Sequence, residues 1–214
     1  MSEVLKRLIS GLIYVLVLWS ATSYSTTSFS LLFISLSGVC FYEMMKLRKG
    51  KSKLIPILYI AIPFSIVQLF VFNNSFYSNT NFDPSPILIL FILTWVFDTF
   101  AYIIGSKLGR HKIIPRISPK KSWEGFIGGM AFTLLSVYFI RQFFDIFSIN
   151  FLLLLAFVIP FTATLGDLIE SFFKREAGVK DSGNLIPGHG GFLDRMDALM
   201  ISIPALYILL NIFK

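Results

Sequence analysis

Seven separate stretches of this chain are apolar over about the length that a membrane-crossing helix needs, roughly 20 residues, and that property removes most folds from consideration. They run from Leu8 to Tyr24, Thr27 to Met45, Leu54 to Phe72, Ile87 to Ile104, Phe126 to Phe144, Asn150 to Leu168 and Met196 to Phe213. At 55% hydrophobic and 14% charged in 214 residues, the apolar content exceeds what one water-soluble core of this size can hide. Lipid offers backbone amides no hydrogen-bond partner, so each crossing must satisfy its own, and the runs are too long and too evenly apolar for barrel strands. The sequence therefore predicts an all-α, polytopic membrane bundle of about seven helices. Residues 1–86 carry spans one to three, and residues 87–214 carry spans four to seven with their polar loops. Lys6 and Arg7 ahead of the first run imitate a signal peptide cleaved near Ala21, but the link to the second run is short, which favours a first span. Cys40, the single cysteine, can form no disulfide within the chain.

Basic residues in short loops are retained on the cytoplasmic side. With a cytoplasmic N-terminus and seven alternating spans, 17 of the 19 Lys and Arg residues fall on that side, leaving Arg141 and Lys214 outside. Ten of the twelve carboxylates fall there too, all but Asp83 and Asp145. The outer loops, such as NNSFYSNTNFDPSP, hold no chemistry-bearing set, so any active surface is cytoplasmic. The run KLRKGKSK (Lys46 to Lys53) suits topology and contact with anionic head groups.

Charges inside spans are costly and are usually kept for function. Asp98 lies about 9 Å along the helix from the inner end of span four. Asp167 closes span six, and Asp194 and Asp197 open span seven. Residues three or four apart share a helix face, which pairs Asp194 with Asp197 and groups Asp167 with Glu170 and Ser171. Carboxylates gathered at one depth repel unless a cation joins them, and an all-oxygen ligand set suits Mg²⁺; taken singly, each is equally an ion-paired or helix-capping residue, Asp194 above all. The loop GSKLGRHKIIPRISPKKSWEGFIGG offers Ser118, Ser122, Lys120 and Lys121 to a polyphosphate, without Walker A spacing. Gly125 and Gly129 fit a small-xxx-small packing pattern, and Trp123 an interfacial anchor. His189, among Gly188, Gly190 and Gly191, is an acid, base or ligand candidate, or a hydrogen-bonding hinge. No zinc spacing and no persuasive Ser/His/Asp order occur, and the basic loops lack the aromatic interleaving of nucleic-acid binders.

One segment is more specific. SFFKREAGVKDSGNLIPGHGGFLDRMD, Ser171 to Asp197, places Ser171, Lys174, Arg175, Lys180, Asp181, Gly183, Pro187, His189 to Gly191, Asp194, Arg195 and Asp197 in one pattern. DTFAYIIGSKLGR with SPKKSWEG adds Asp98, Ala101, Tyr102, Gly105, Gly109, Ser118 to Lys121, Glu124 and Gly125, and LGDLIES adds Asp167. Together these resemble the phosphatidate cytidylyltransferases, or CDP-diacylglycerol synthases, over about Asp98 to Asp197; residues 1–90 carry no matching motif.

The resemblance implies transfer of a cytidylyl group from CTP to phosphatidate, with Mg²⁺ as cofactor (two ions in one version), a homodimer, and a bacterial inner membrane. It implies Asp167, Asp194 and Asp197 as metal ligands, with Asp98 in or beside that shell. Lys174, Arg175, Lys180 and Arg195 would neutralise the lipid phosphate or the triphosphate, and Ser118, Lys120 and Lys121 would hold CTP, with His189 nearby. The rivals are a CTP-dependent polyprenol or phytol kinase, which attacks the γ-phosphorus with an alcohol, and a cation transporter, which leaves the Ser171 to Asp197 pattern unexplained.

Overall fold

The computed structural model describes residues 3–72, 82–144, 147–188 and 190–213. Its helices are α1 (Glu3–Tyr24), α2 (Thr26–Leu47), α3 (Leu54–Phe72), α4 (Ser85–Leu108), α5 (Trp123–Phe143), α6 (Ile149–Glu176) and α7 (Leu193–Ile212). All seven are long and apolar enough to cross a membrane, so the protein is a multi-pass membrane bundle. Its lipid-facing side chains accord with that: Leu8, Leu12 and Leu16 on α1 and Leu135 and Phe139 on α5 stay exposed, while Phe29, Phe33, Leu90, Leu152 and Leu206 fill the core.

Two features depart from a reading of hydropathy. The α4–α5 connection contains a small antiparallel hairpin, β1 (Lys112–Ile114) against β2 (Ser118–Ser122). Helix α6 runs eight residues beyond the apolar run that ends at Leu168. At 1.5 Å per residue its length is about 42 Å, more than the roughly 30 Å of hydrocarbon. Its last two turns continue on helix-forming residues, with Lys174 and Arg175 in the final turn where the negative end of the helix dipole favours cations.

The connections α2–α3, α4–α5 and α6–α7 lie at one end, with the start of α1. Arg48 pairs with Glu176, Lys51 Nζ donates to Glu176 O (2.6 Å), and Ser10 Oγ donates to Pro187 O (2.9 Å). This is the end that carries most of the basic residues. Proline interrupts α3 at Pro63, α6 at Pro160 and α7 at Pro204. Helices buried among neighbours tolerate this, and α6 and α7 are further joined where Thr162 Oγ1 meets Ser202 Oγ at 2.8 Å.

Helix α4 crosses α5 in close contact. A Cβ on Gly125 would lie 2.7 Å from the Ala101 carbonyl oxygen and 3.0 Å from Gly105 Cα; one on Gly129 would lie 2.8 Å from the Phe97 ring. Small residues permit such approach, and close packing drives helix association in lipid. Because the obstacle at Gly125 is backbone, Gly125→Ala should destabilise the bundle by about 1–3 kcal/mol, read as a lower midpoint of heat-induced aggregation in detergent. Gly38→Ala, where no neighbour lies within 4 Å, should leave the midpoint nearly unchanged.

Candidate active site

At the basic end a cavity of about 400 Å³ opens between α4, the hairpin, α5, α6 and the start of α7. Asp98, Ser118, Lys120, Lys121, Asp167, Lys174, Asp194, Arg195 and Asp197 all line it. Thus nine residues singled out from the sequence, spread over a hundred positions, face one space. Arg175 does not: it is exposed, and its Nε donates to Ile117 O (3.2 Å) and its Nη1 to Val179 O (2.9 Å), clasping the hairpin turn to the end of α6. Lys180 is exposed and outside the cavity lining. His189 lies outside the described residues.

The hairpin's pose is fixed at its base. Ser122 caps α5, accepting from Gly125 N (3.2 Å), and Glu124 accepts from Arg110 N (3.1 Å) and His111 N (3.2 Å) while its Oε1 lies 2.6 Å from His111 Nδ1. Satisfying these loop amides from the first turn of α5 holds the β2 lysines over the cavity. Lys121 Nζ reaches Asp167 Oδ2 at 2.6 Å.

Gly166 sets the depth of the carboxylates. A Cβ there would collide with the Asp197 carbonyl oxygen, and Tyr59 Oη on α3 donates to Gly166 O (2.8 Å). The missing side chain lets α6 and α7 cross in contact, so Asp167 and Asp197 arrive side by side. Oxygens of Asp167, Glu170 and Asp197 all lie within 4.8 Å of one another. Ser171 Oγ donates to Asp167 Oδ1 (3.0 Å). Glu170 is wholly buried, and apart from the Lys174 ammonium that pairs with its Oε2 its carboxylate has no donor among the described residues. Buried oxygens without donors are costly, and three carboxylates this close require positive charge among them. Oxygen-only donors of this kind fit a hard divalent cation.

Asp194 is differently employed. Its Oδ1 meets Lys174 Nζ at 2.7 Å, and its Oδ2 accepts from Ser182 N (2.9 Å), Ser182 Oγ (3.0 Å) and Gly191 N (2.8 Å). Four donors occupy it, so it lines the cavity without joining the Asp167–Glu170–Asp197 group. Lys174 sits between Glu170 and Asp194 and pairs with both, its one positive charge shared between two carboxylates.

Sequence reading omits Glu170 from the ligand set, although its i,i+3 spacing from Asp167 is visible. It also passes over Glu43, a carboxylate buried in α2 that accepts from Ser182 Oγ, Phe192 N and Leu193 N. The signal for Glu43 was present: an acidic residue inside an apolar span is rarely idle.

Residues 56–213 match the model of the cytidylyltransferase family. The chain is 47% identical over 137 residues to a phosphatidate cytidylyltransferase of Staphylococcus haemolyticus (strain JCSC1435), covering 63% of this chain and 52% of that protein. It is 46% identical over 136 residues to one of Staphylococcus epidermidis (strain ATCC 35984), and 45% identical over 137 residues to one of Staphylococcus aureus (strain COL), with the same shares covered. The chain spans about half the length of the curated relatives it matches. With nearly three quarters of its residues inside the family match, the chain belongs to the cytidylyltransferase family.

Proposed function

We propose that this protein joins CTP to phosphatidate, releasing pyrophosphate and forming CDP-diacylglycerol. The observation that carries the reading is the carboxylate triad Asp167, Glu170 and Asp197, with Lys121 and Lys174 against it, inside one cavity at the basic end of a membrane bundle. The relatives' printed names supply the substrate class.

The chemistry suits these residues. A phosphate oxygen of the lipid attacks the α-phosphorus of CTP, the bond to the β-phosphate oxygen breaks, and pyrophosphate leaves. The nucleophile is already ionised near neutral pH, so no general base is needed; the barrier is repulsion between anions, lowered by positioning and fixed positive charge. Ser118, Lys120 and Lys121 on the hairpin hold the triphosphate, and Arg195 at the start of α7 neutralises the lipid phosphate. Asp167, Glu170 and Asp197 would hold Mg²⁺, with Asp98 lining the same cavity as the candidate for a second ion, and Lys174 fixes Glu170 and Asp194 on either side of its ammonium. When bound, the metal neutralises charge on the reacting and departing phosphoryl oxygens. Asp194 orders the 182–191 loop and the first turn of α7.

The basic end faces the cytosol in this reading, with the N-terminus on that side, so that CTP arrives from water while the lipid stays anchored in the inner leaflet of a bacterial membrane. A homodimer is the expected assembly. The test is purified protein in detergent with phosphatidate, Mg²⁺ and CTP labelled at the α-phosphorus. The label should enter the lipid and pyrophosphate should appear in equal amount. Label left in CDP with γ-phosphate on an alcohol would identify a kinase, and cation flux without CTP turnover a transporter.

A further inference from the structure

Helix α7 begins without a capping side chain of its own: its N-cap is Phe192, whose side chain bonds nothing at the helix end. The first amides of a helix need acceptors, and when buried they are costly without them. Here they find one from another part of the chain. Glu43, on α2 and 2% exposed, accepts from Phe192 N at 3.2 Å and Leu193 N at 2.9 Å, and its Oε2 accepts from Ser182 Oγ at 2.8 Å.

The loop is also shaped to this carboxylate. A Cβ on either Gly183 or Gly191 would collide with the Glu43 carboxylate oxygens, so glycine at both positions lets the chain close around it. Ser182 and Gly191, which close on Glu43, are the same residues whose amides hold Asp194. The positive end of α7 and two glycine-flanked turns therefore converge on one buried charge contributed by a helix that carries no part of the family-like motif.

We propose that Glu43 is a positioning residue: it acts as a cap in trans for α7 and seats the Asp181–Asp194 segment, and through it Asp194 and Lys174, against the cavity. Its effect on turnover rests on the cytidylyltransfer reading; its effect on the loop does not. Glu43→Gln keeps the shape but turns an NH₂ group toward amide or hydroxyl donors, and Ser182→Ala removes the hydroxyl that Glu43 and Asp194 share while leaving both carboxylates and their backbone donors.

The test has two arms on the same detergent-purified protein. In the first, limited trypsin digestion is followed by mass spectrometry. Cleavage after Lys180 should speed up roughly tenfold or more in Glu43→Gln and by a smaller factor in Ser182→Ala, because proteolysis tracks the open population. Cleavage after Lys112 in the hairpin should stay near the wild-type rate. In the second, kcat should fall roughly tenfold or more with the KM for CTP little changed, since the hairpin that holds CTP is untouched; Tyr42→Phe, an exposed neighbour on α2, serves as control. Unchanged cleavage at Lys180 in both variants, equal acceleration at Lys112, or an open loop with undiminished kcat would each overturn the proposal. A wild-type protein that makes no CDP-lipid would count against the activity alone, because the digestion arm would still decide the role of Glu43.

Discussion

Asp197→Asn is expected to reduce CDP-lipid formation by roughly 10²–10³-fold at saturating CTP and phosphatidate, with the largest loss in kcat. Asparagine has the size of aspartate, so the α6–α7 crossing at Gly166, which involves the Asp197 backbone, is kept. What disappears is one of three converging negative charges. The Mg²⁺ concentration that gives half-maximal rate should rise, and that shift separates metal binding from general damage. The comparison variant is Arg175→Ala: Arg175 points at the hairpin and the loop rather than the cavity, so its loss should leave the Mg²⁺ titration in place. An Asp197→Asn protein with the wild-type rate and Mg²⁺ dependence would remove the carboxylate triad from the mechanism.

Lys174→Met should be the most destabilising single change at the site. Its ammonium is buried between Glu170 and Asp194, and deleting one partner of a buried ion pair leaves an uncompensated charge, at a cost of about 3–5 kcal/mol. A sharply lower heat-denaturation midpoint in detergent, together with loss of activity, is the expected result. The double variant Lys174→Met/Glu170→Gln should recover much of the stability, because the burdensome carboxylate is gone and Asp194 keeps its donors from Ser182 and Gly191. Activity should not recover, since the triad is then one member short. Equal stability of the single and double variants would show that Lys174 does not compensate Glu170.

Periodicity and hydropathy were enough for seven helices, because lipid imposes a length and forbids unpaired backbone. They could not place the end of α6: polar residues end an apolar run, yet Asp167 to Glu176 remain helical and bring Glu170 and Lys174 inward on the same turns. The β1–β2 hairpin was hidden for a related reason. Its strands are three and five residues long and are held by Glu124 and Ser122 at the head of α5, contacts that have no periodic signature. Motif spacing brought Asp98, Asp167, Lys174, Asp194, Arg195 and Asp197 to one space but did not say which oxygens converge. That division depends on the backbone approach at Gly166 and on the loop amides that engage Asp194. Glu43 lay outside any motif because its partners are about 140 to 150 positions away along the chain.

On the proposed reaction, the glycine-lined crossing of α4 and α5 bears on how a nucleotide would get in and out. Where main chains touch directly at Ala101, Gly105 and Gly125, no intervening layer of side chains can be re-sorted by rotamer changes. The two helices are held together there backbone on backbone. The seam facing α6 is held differently, bridged on the polar side by the Lys121–Asp167 ion pair and the Arg175–Ile117 hydrogen bond. On the proposed reaction, a triphosphate arriving there would compete with Asp167 for Lys121 and so would loosen one of the two contacts that bridge the seam.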